Sequence, residues 1–179
     1  MRRLLASTAA ALMTLALAGC SHSGEWVEVT GMAGEPYEVV YGQYVGEVFE
    51  DGPCADQQDV EGDIYRHRFA HGEDSGVPWV SDERVAGDYE YVADIDFQED
   101  GDACVGYFTG TETMTNDGGT WEGTVEGTMT WDGPADTANT VYDIDRTMLG
   151  SGDYDGLEYS YKLYGTDFPW ELTGTISPA

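Results

Sequence analysis

The segment Arg66-His67-Arg68-Phe69-Ala70-His71 concentrates the residue types that bind anions or metal ions. In an extended strand, successive side chains point to opposite faces, so the two histidines share one face and the two arginines share the other. The arginine fork matches the geometry of a carboxylate or phosphate, which makes the arginines candidates for binding an anionic ligand. The histidines are candidates for a zinc or copper site with nearby acidic side chains.

A purely structural interpretation of the same segment stays open. The chain contains 35 acidic residues, so each basic side chain has many carboxylates within reach on neighbouring strands. Cross-strand ion pairs would then account for Arg66 and Arg68 without any ligand. The spacing identifies no third metal ligand, and we therefore assign no metal or other cofactor to the chain.

The N-terminus has the composition of a secretory leader. Arg2 and Arg3 give it a charged start, and residues 4–18 are almost wholly apolar. An apolar run of about 7–15 residues after a charged start is typical of a signal peptide, whereas a membrane-spanning helix needs roughly 20. The residues Leu17-Ala18-Gly19-Cys20 close this leader. An ordinary secretory signal, in which Cys20 has no role, is the alternative.

Leu17-Ala18-Gly19-Cys20 resembles the lipobox of bacterial lipoproteins at all four positions. The resemblance implies that residues 1–19 are removed and that Cys20, carrying a diacylglyceryl group, becomes the new N-terminus. Two acyl chains hold a protein stably at a membrane. We therefore expect residues 20–24 to form a lipidated tether and residues 25–179 to form one domain. That domain would lie outside the cytoplasm, on the outer face of the plasma membrane or, in a diderm source, on the outer membrane.

Once Cys20 carries a lipid, Cys54 and Cys104 remain as a pair in an oxidising compartment. Cys54 lies in a polar loop, and Cys104 opens a strand after an acidic turn. A disulfide between them would close a loop of about 50 residues, worth on the order of 4 kcal/mol by chain entropy. Two free buried thiols are the alternative, and no histidine pattern indicates a catalytic cysteine.

The charge of the chain restricts its partners. Seven basic residues face 35 acidic ones, giving a formal net charge of −28 that becomes more negative when Arg2 and Arg3 leave with the leader. Such a chain repels nucleic acid, because binding phosphates requires Lys and Arg. It would attract a cationic partner, although solubility alone also explains the composition.

Acidic turns raise the question of calcium binding. Neither cluster has the order of oxygen ligands found in an EF-hand, so solvated turns are the simpler interpretation. The two clusters are Asp96, Glu99, Asp100 and Asp102 in one turn, and Asp153 and Asp155 in another.

Alternating apolar and polar residues predict strands throughout the domain. The clearest runs are 89–97, 120–131, 157–163 and 170–176, and weaker ones are 26–30, 38–50, 60–70, 103–115 and 140–149. Short turns such as Asn116-Asp117-Gly118-Gly119 separate them. About eight or nine strands joined mainly by short turns predict a single up-and-down antiparallel β-barrel, with a two-sheet β-sandwich as the alternative. Gly123 and Gly127 fall on the buried face, where they would relieve crowding or let a bent strand close a barrel.

Two glycine-aromatic segments support the barrel. Gly119-Thr120-Trp121-Glu122-Gly123 and residues 152–157 resemble the strand entries of allene oxide cyclase-like and dirigent-like barrels, which recur in uncharacterised bacterial lipoproteins. The resemblance covers about residues 83–177 and implies the fold alone, since the catalytic residues of the cyclase have no counterpart here.

The chain lacks the common enzyme motifs, including Gly-x-Ser-x-Gly, His-Glu-x-x-His and the phosphate-binding Gly-x-x-x-x-Gly-Lys. We therefore expect a non-enzymatic envelope lipoprotein that binds a small molecule or another partner, or serves a structural role. The alternative is a barrel enzyme of isomerase or cyclase type that acts on a small apolar substrate. An ionisable side chain inside an apolar cavity would favour the enzyme.

Overall fold

The computed structural model describes residues 26–72, 78–132, 140–166 and 168–179. The predicted leader, the tether and Cys20 lie outside these residues. The described chain forms eleven strands and one 3-10 helix, η1. In chain order they are β1 Val27–Ala33, β2 Glu38–Val40, β3 Gln43–Val45, β4 Asp59–His71, β5 Trp79–Val80, η1 Glu83–Val85, β6 Gly87–Asp100, β7 Ala103–Asn116, β8 Gly119–Asp132, β9 Val141–Gly152, β10 Leu157–Gly165 and β11 Trp170–Pro178.

The predicted all-β class is confirmed, and all eleven strands belong to one sheet. From β6 to β11 each strand pairs antiparallel with the next along the chain, and β11 pairs antiparallel with β1. The short β5 links β1 to β4, and β4 also pairs with β6 along most of its length. No helix in the described ranges is long and apolar enough to cross a membrane.

The predicted number of strands was too low at the N-terminal side. The single run expected at 38–50 is two three-residue strands, β2 and β3, which both pair with β4. Tyr41 and Gly42 separate them, and the Gly42 N–H donates to the side-chain oxygen Oδ1 of Asp63 on β4 at 2.7 Å. The two-residue β5 was also missed, because its pairing depends on the positions of β1 and β4.

One face of the long strands forms the core, as the alternation predicts. Tyr89, Tyr91, Ala93, Ile95 and Phe97 of β6 are all buried. The same holds for the alternate positions Leu157, Tyr159, Tyr161 and Leu163 of β10 and Trp170, Leu172 and Ile176 of β11. On β8, a Cβ added at Gly123 or Gly127 would collide with the backbone of β9. These glycines therefore permit close approach of two strands, as expected.

The strand registers define two ends of the sheet. We call the end where β1 begins the proximal end and the opposite end the distal end. At the proximal end, η1 packs inward with Val85 only 1 % exposed. Trp121 Nε1 donates to the carbonyl oxygen of Arg84 at 2.8 Å, and Asn116 Nδ2 donates to the same oxygen at 3.0 Å. These bonds fix η1 against β7 and β8.

A loop over residues 46–58 lies at the distal end and carries Cys54. The Sγ atoms of Cys54 and Cys104 lie at bonding distance and their Cα atoms are 4.9 Å apart, which fits the predicted disulfide. Phe49 of this loop packs against the core. Because 50 positions separate the two cysteines, a bond between them would remove about 4 kcal/mol of loop entropy from the unfolded chain.

Candidate functional site

A buried ion pair lies on the core face in the middle of the sheet. Glu112 projects from β7 and Arg146 from β9, with β8 between them. Arg146 Nη1 is 2.9 Å from Glu112 Oε2, and the two side chains are 1 % and 0 % exposed. A charged pair removed from water to this extent is costly unless other groups satisfy it.

Four tyrosines surround this pair. The hydroxyl groups of Tyr89 and Tyr161 both donate to Glu112 Oε2, the latter at 3.3 Å. The Arg146 guanidinium carbon lies 4.4 Å from the ring centroid of Tyr91, 5.2 Å from that of Tyr89 and 5.7 Å from that of Tyr161. The fourth, Tyr159, stacks on Tyr161 with ring centroids 4.6 Å apart. Hydrogen bonds thus reach Oε2 of the carboxylate, and aromatic rings enclose the cation. Among the described residues, Glu112 Oε1 and Arg146 Nε have no hydrogen-bond partner.

Burial acts on both members of the pair. It raises the pKa of the Glu112 carboxyl, an effect that the hydrogen bond from Tyr161 opposes. It lowers the pKa of Arg146, but a guanidinium stays protonated in proteins. The guanidinium at 2.9 Å favours the ionised carboxylate, so we describe the two side chains as an ion pair.

His67 projects from β4 toward the same cluster. Its ring lies 5.9 Å from the Tyr91 ring at an angle of 12°, and it is 5 % exposed. Burial and the positive charge of Arg146 lower the pKa of His67 to about 4, while a hydrogen bond with the Gly34 backbone opposes the shift. The imidazole is therefore neutral at pH 7.

The candidate residues of segment 66–71 lie in different surroundings. Its arginines are on the outer face, where Arg66 contacts Glu38 at 2.9 Å and Glu90 at 2.7 Å. Arg68 contacts Asp88 at 2.5 Å, directly across from it on β6.

Cross-strand pairing, the alternative left open by the sequence, thus accounts for both arginines. The histidines separate as well, because His71 is exposed at the end of β4 while His67 is buried. Among the described residues, no group of three or more His, Cys, Asp or Glu side chains could hold a metal ion.

A cavity of about 160 Å³ lies on the distal side of the buried ion pair. We call it the aromatic cavity. None of its described lining residues carries a charge, and each of them is either aromatic or aliphatic. The aromatic lining residues are Tyr65, Tyr91, Phe108, Tyr142, Phe168 and Trp170.

Aromatic stacks form two walls of this cavity. The rings of Tyr65 and Tyr91 stack with centroids 4.7 Å apart. Trp170 lies 4.2 Å from Phe168 and 4.3 Å from Tyr142, measured between ring centroids. Phe168 is 37 % exposed, so the cavity adjoins solvent on that side.

Tyr91 connects the cavity to the ion pair. Its ring lines the cavity and also lies 4.4 Å from the Arg146 guanidinium. The charges therefore stand behind an aromatic wall and hold it in position, while the cavity itself presents aromatic and aliphatic groups. Neither Glu112 nor Arg146 nor this cavity was predicted from the sequence.

Breaking the ion pair should destabilise the protein strongly. We expect Arg146→Met to lower the free energy of unfolding by about 3–5 kcal/mol, because Glu112 would remain buried without its cation. The matched control is Lys162→Met, which removes a half-exposed cation that contacts Asp143 at 2.5 Å and should cost at most about 1 kcal/mol. Urea denaturation measures both. A loss equal to that of the control would contradict the assigned role of the pair.

His67 should make stability fall in acid. Its folded-state pKa of about 4 lies below the ordinary value of 6.5, so the unfolded chain binds the proton first. Its contribution is complete above pH 6.5 and is lost as the pH falls toward 4, amounting to about 3 kcal/mol. Unfolding free energies of the wild type and His67→Gln, measured from pH 7 to pH 4, should differ in slope in this window. Parallel curves would contradict the prediction.

Comparison with known proteins yields no relative for this chain. No protein-family model, curated protein or solved structure matches it.

Proposed function

We propose that this chain is a cell-envelope lipoprotein, anchored through Cys20, whose domain is a β-barrel that binds a small ligand without catalysing a reaction. The observation that carries the proposal is the aromatic cavity, which is uncharged along its described lining and adjoins solvent. Ligand sites are typically concave, mostly apolar and rich in aromatic side chains.

The strand pairings support a barrel over a sandwich. A path from β6 through β7, β8, β9, β10 and β11 reaches β1, and β5 then leads to β4. Because β4 pairs with β6 again, the path returns to its start. A two-sheet sandwich would instead divide the strands between two sheets with separate edges.

The position of Trp26 supports an orientation at the membrane. Trp26 is six positions after Cys20, so the tether spans at most about 20 Å. It precedes β1 at the proximal end, whereas the cavity lies toward the distal end, where β11 begins. A lipid on Cys20 would therefore place the cavity on the side away from the membrane, where a ligand arrives from the aqueous phase.

The cavity offers little for acid-base catalysis. Its ionisable lining groups are the phenols of Tyr65, Tyr91 and Tyr142. Burial is the largest cause that raises the pKa of all three. A general base needs a pKa near the working pH, and these phenols stay protonated. Glu112 and His67, which an isomerase or cyclase could use, do not line the cavity.

The cavity volume limits the ligand to a small group. An apolar cavity of about 150 Å³ accommodates a molecule the size of benzene. A single ring, or a branched group of similar volume, is therefore the expected occupant.

Filling the cavity should abolish binding. We expect at least one of toluene, 3,3-dimethylbutan-1-ol and choline, each at millimolar concentration, to shift the NMR signals of the Met129 and Ile144 methyl groups. Met129→Trp should remove the response by occupying the cavity. Leu149→Trp, at a position that is 56 % exposed, is the matched control and should retain it. If the wild type responds to none of the three probes, the proposal that this cavity binds a ligand is wrong.

The anchor has a separate test. Protein extracted with detergent from membranes of its own host should have an intact mass that corresponds to residues 20–179 plus a diacylglyceryl group. Digestion should place that mass on an N-terminal peptide beginning at Cys20. An unmodified mature chain, or one beginning at another residue, would contradict the lipoprotein assignment.

A further inference from the structure

We propose that the aromatic cavity binds a small organic cation with a quaternary ammonium group, and that Asp63 supplies the nearby negative charge. This inference rests on the proposed function, because it names the class of ligand for the same cavity. It follows from the aromatic walls, from a buried carboxylate beside one of them, and from the cavity volume.

The walls offer a surface that stabilises cations. The faces of Tyr, Trp and Phe rings are negative, and aromatic cages are a common means of binding quaternary ammonium groups. Here the stacked rings of Tyr65 and Tyr91 stand on one side, and the rings of Phe168, Trp170 and Tyr142 form a second group. No Lys, Arg or His is among the described lining residues.

Asp63 places a negative charge at the hydroxyl end of the Tyr65 ring. Its side chain is buried, with the residue 5 % exposed, and Tyr65 donates its hydroxyl hydrogen to Asp63 Oδ2 at 2.9 Å. The other oxygen accepts the Gly42 N–H. Within the described part of the chain, no basic side chain forms an ion pair with Asp63. Its charge therefore remains available to attract a cation near the Tyr65 ring.

Arg146 is a basic group that lies against one of the walls, and its charge is compensated. It lies 4.4 Å from the Tyr91 ring but is paired with Glu112 at 2.9 Å. The ion pair as a whole carries no net charge. The formal net charge of −28 for the whole chain adds a long-range attraction for cations.

Size favours a compact cation. A trimethylammonium group is a branched body of a size similar to a single ring, and the cavity of about 160 Å³ holds such a body. A short polar tail would leave past Phe168, which is partly exposed. Choline meets these requirements as a free solute, and the phosphocholine headgroup of a lipid shares the same chemistry.

A pair of isosteric probes tests the charge. Choline and 3,3-dimethylbutan-1-ol have the same shape, but the latter carries a neutral carbon in place of nitrogen. We expect the mature lipidated protein in dodecyl maltoside to bind choline at least about tenfold more tightly than its neutral isostere in calorimetric titration. Phe168→Leu should weaken choline binding several-fold, whereas the exposed Leu149→Ala should not.

The outcomes distinguish this inference from the proposed function. If the neutral isostere binds as tightly as choline or more tightly, the proposed preference for a cation is wrong, but the cavity still binds a ligand. Binding of neither probe, together with no response to toluene, overturns both. Asp63→Asn should reduce the preference for choline over its isostere, and an unchanged ratio overturns the role assigned to Asp63.

A further arm identifies the source of the cation. Dihexanoylphosphatidylcholine below its micellar concentration should bind more weakly than free choline, because the cavity lies toward the end of the domain away from the tether. If that lipid binds more tightly than choline, the proposal of a free solute as the ligand is wrong, and the cavity binds a lipid headgroup instead.

Discussion

The contact between Arg146 and Glu112 is the interaction on which the interior of this protein depends. It joins β7 to β9 across β8, and through Tyr89, Tyr91 and Tyr161 it reaches β6 and β10. Four strands, β6, β7, β9 and β10, are thus connected at one point on the core face. Because the pair is unfavourable without these surrounding groups, the position of each ring is constrained by the same two charges.

That constraint explains why a cavity can persist beside the cluster. Protein cores normally close around unfilled space, since lost dispersion contacts favour collapse. Tyr91 cannot move into the cavity without leaving the guanidinium, and Tyr65 is held by its bond to Asp63 as well as by stacking. Polar contacts behind the wall therefore keep two aromatic rings in place, and the space between the stacks remains.

The sequence predicted the strands well and the site poorly. Alternation located β6, β8, β10 and β11, because their buried faces are apolar. Glu112 and Arg146 break that rule. The chain has 35 acidic residues, so its composition does not show which carboxylate is buried. Their positions in the strand alternation were informative. Glu112 is two positions before the buried Met114, and Arg146 lies two positions from both the buried Ile144 and the buried Met148. The cavity could not be predicted in the same way, because its lining comes from several distant strands and the segment before β11.

The separation of charge from the cavity favours the proposed binding role over catalysis. A catalytic carboxylate or imidazole must reach the reacting atom, and here Tyr91 stands between the cavity and both Arg146 and His67. A charge behind the Tyr91 ring would nevertheless act on a ligand without touching it. A cation in the cavity and the Arg146 guanidinium would both interact with this ring. Compensation of Arg146 by Glu112 is therefore a requirement of the cationic ligand that we propose, because the buried pair leaves no net charge behind the Tyr91 ring.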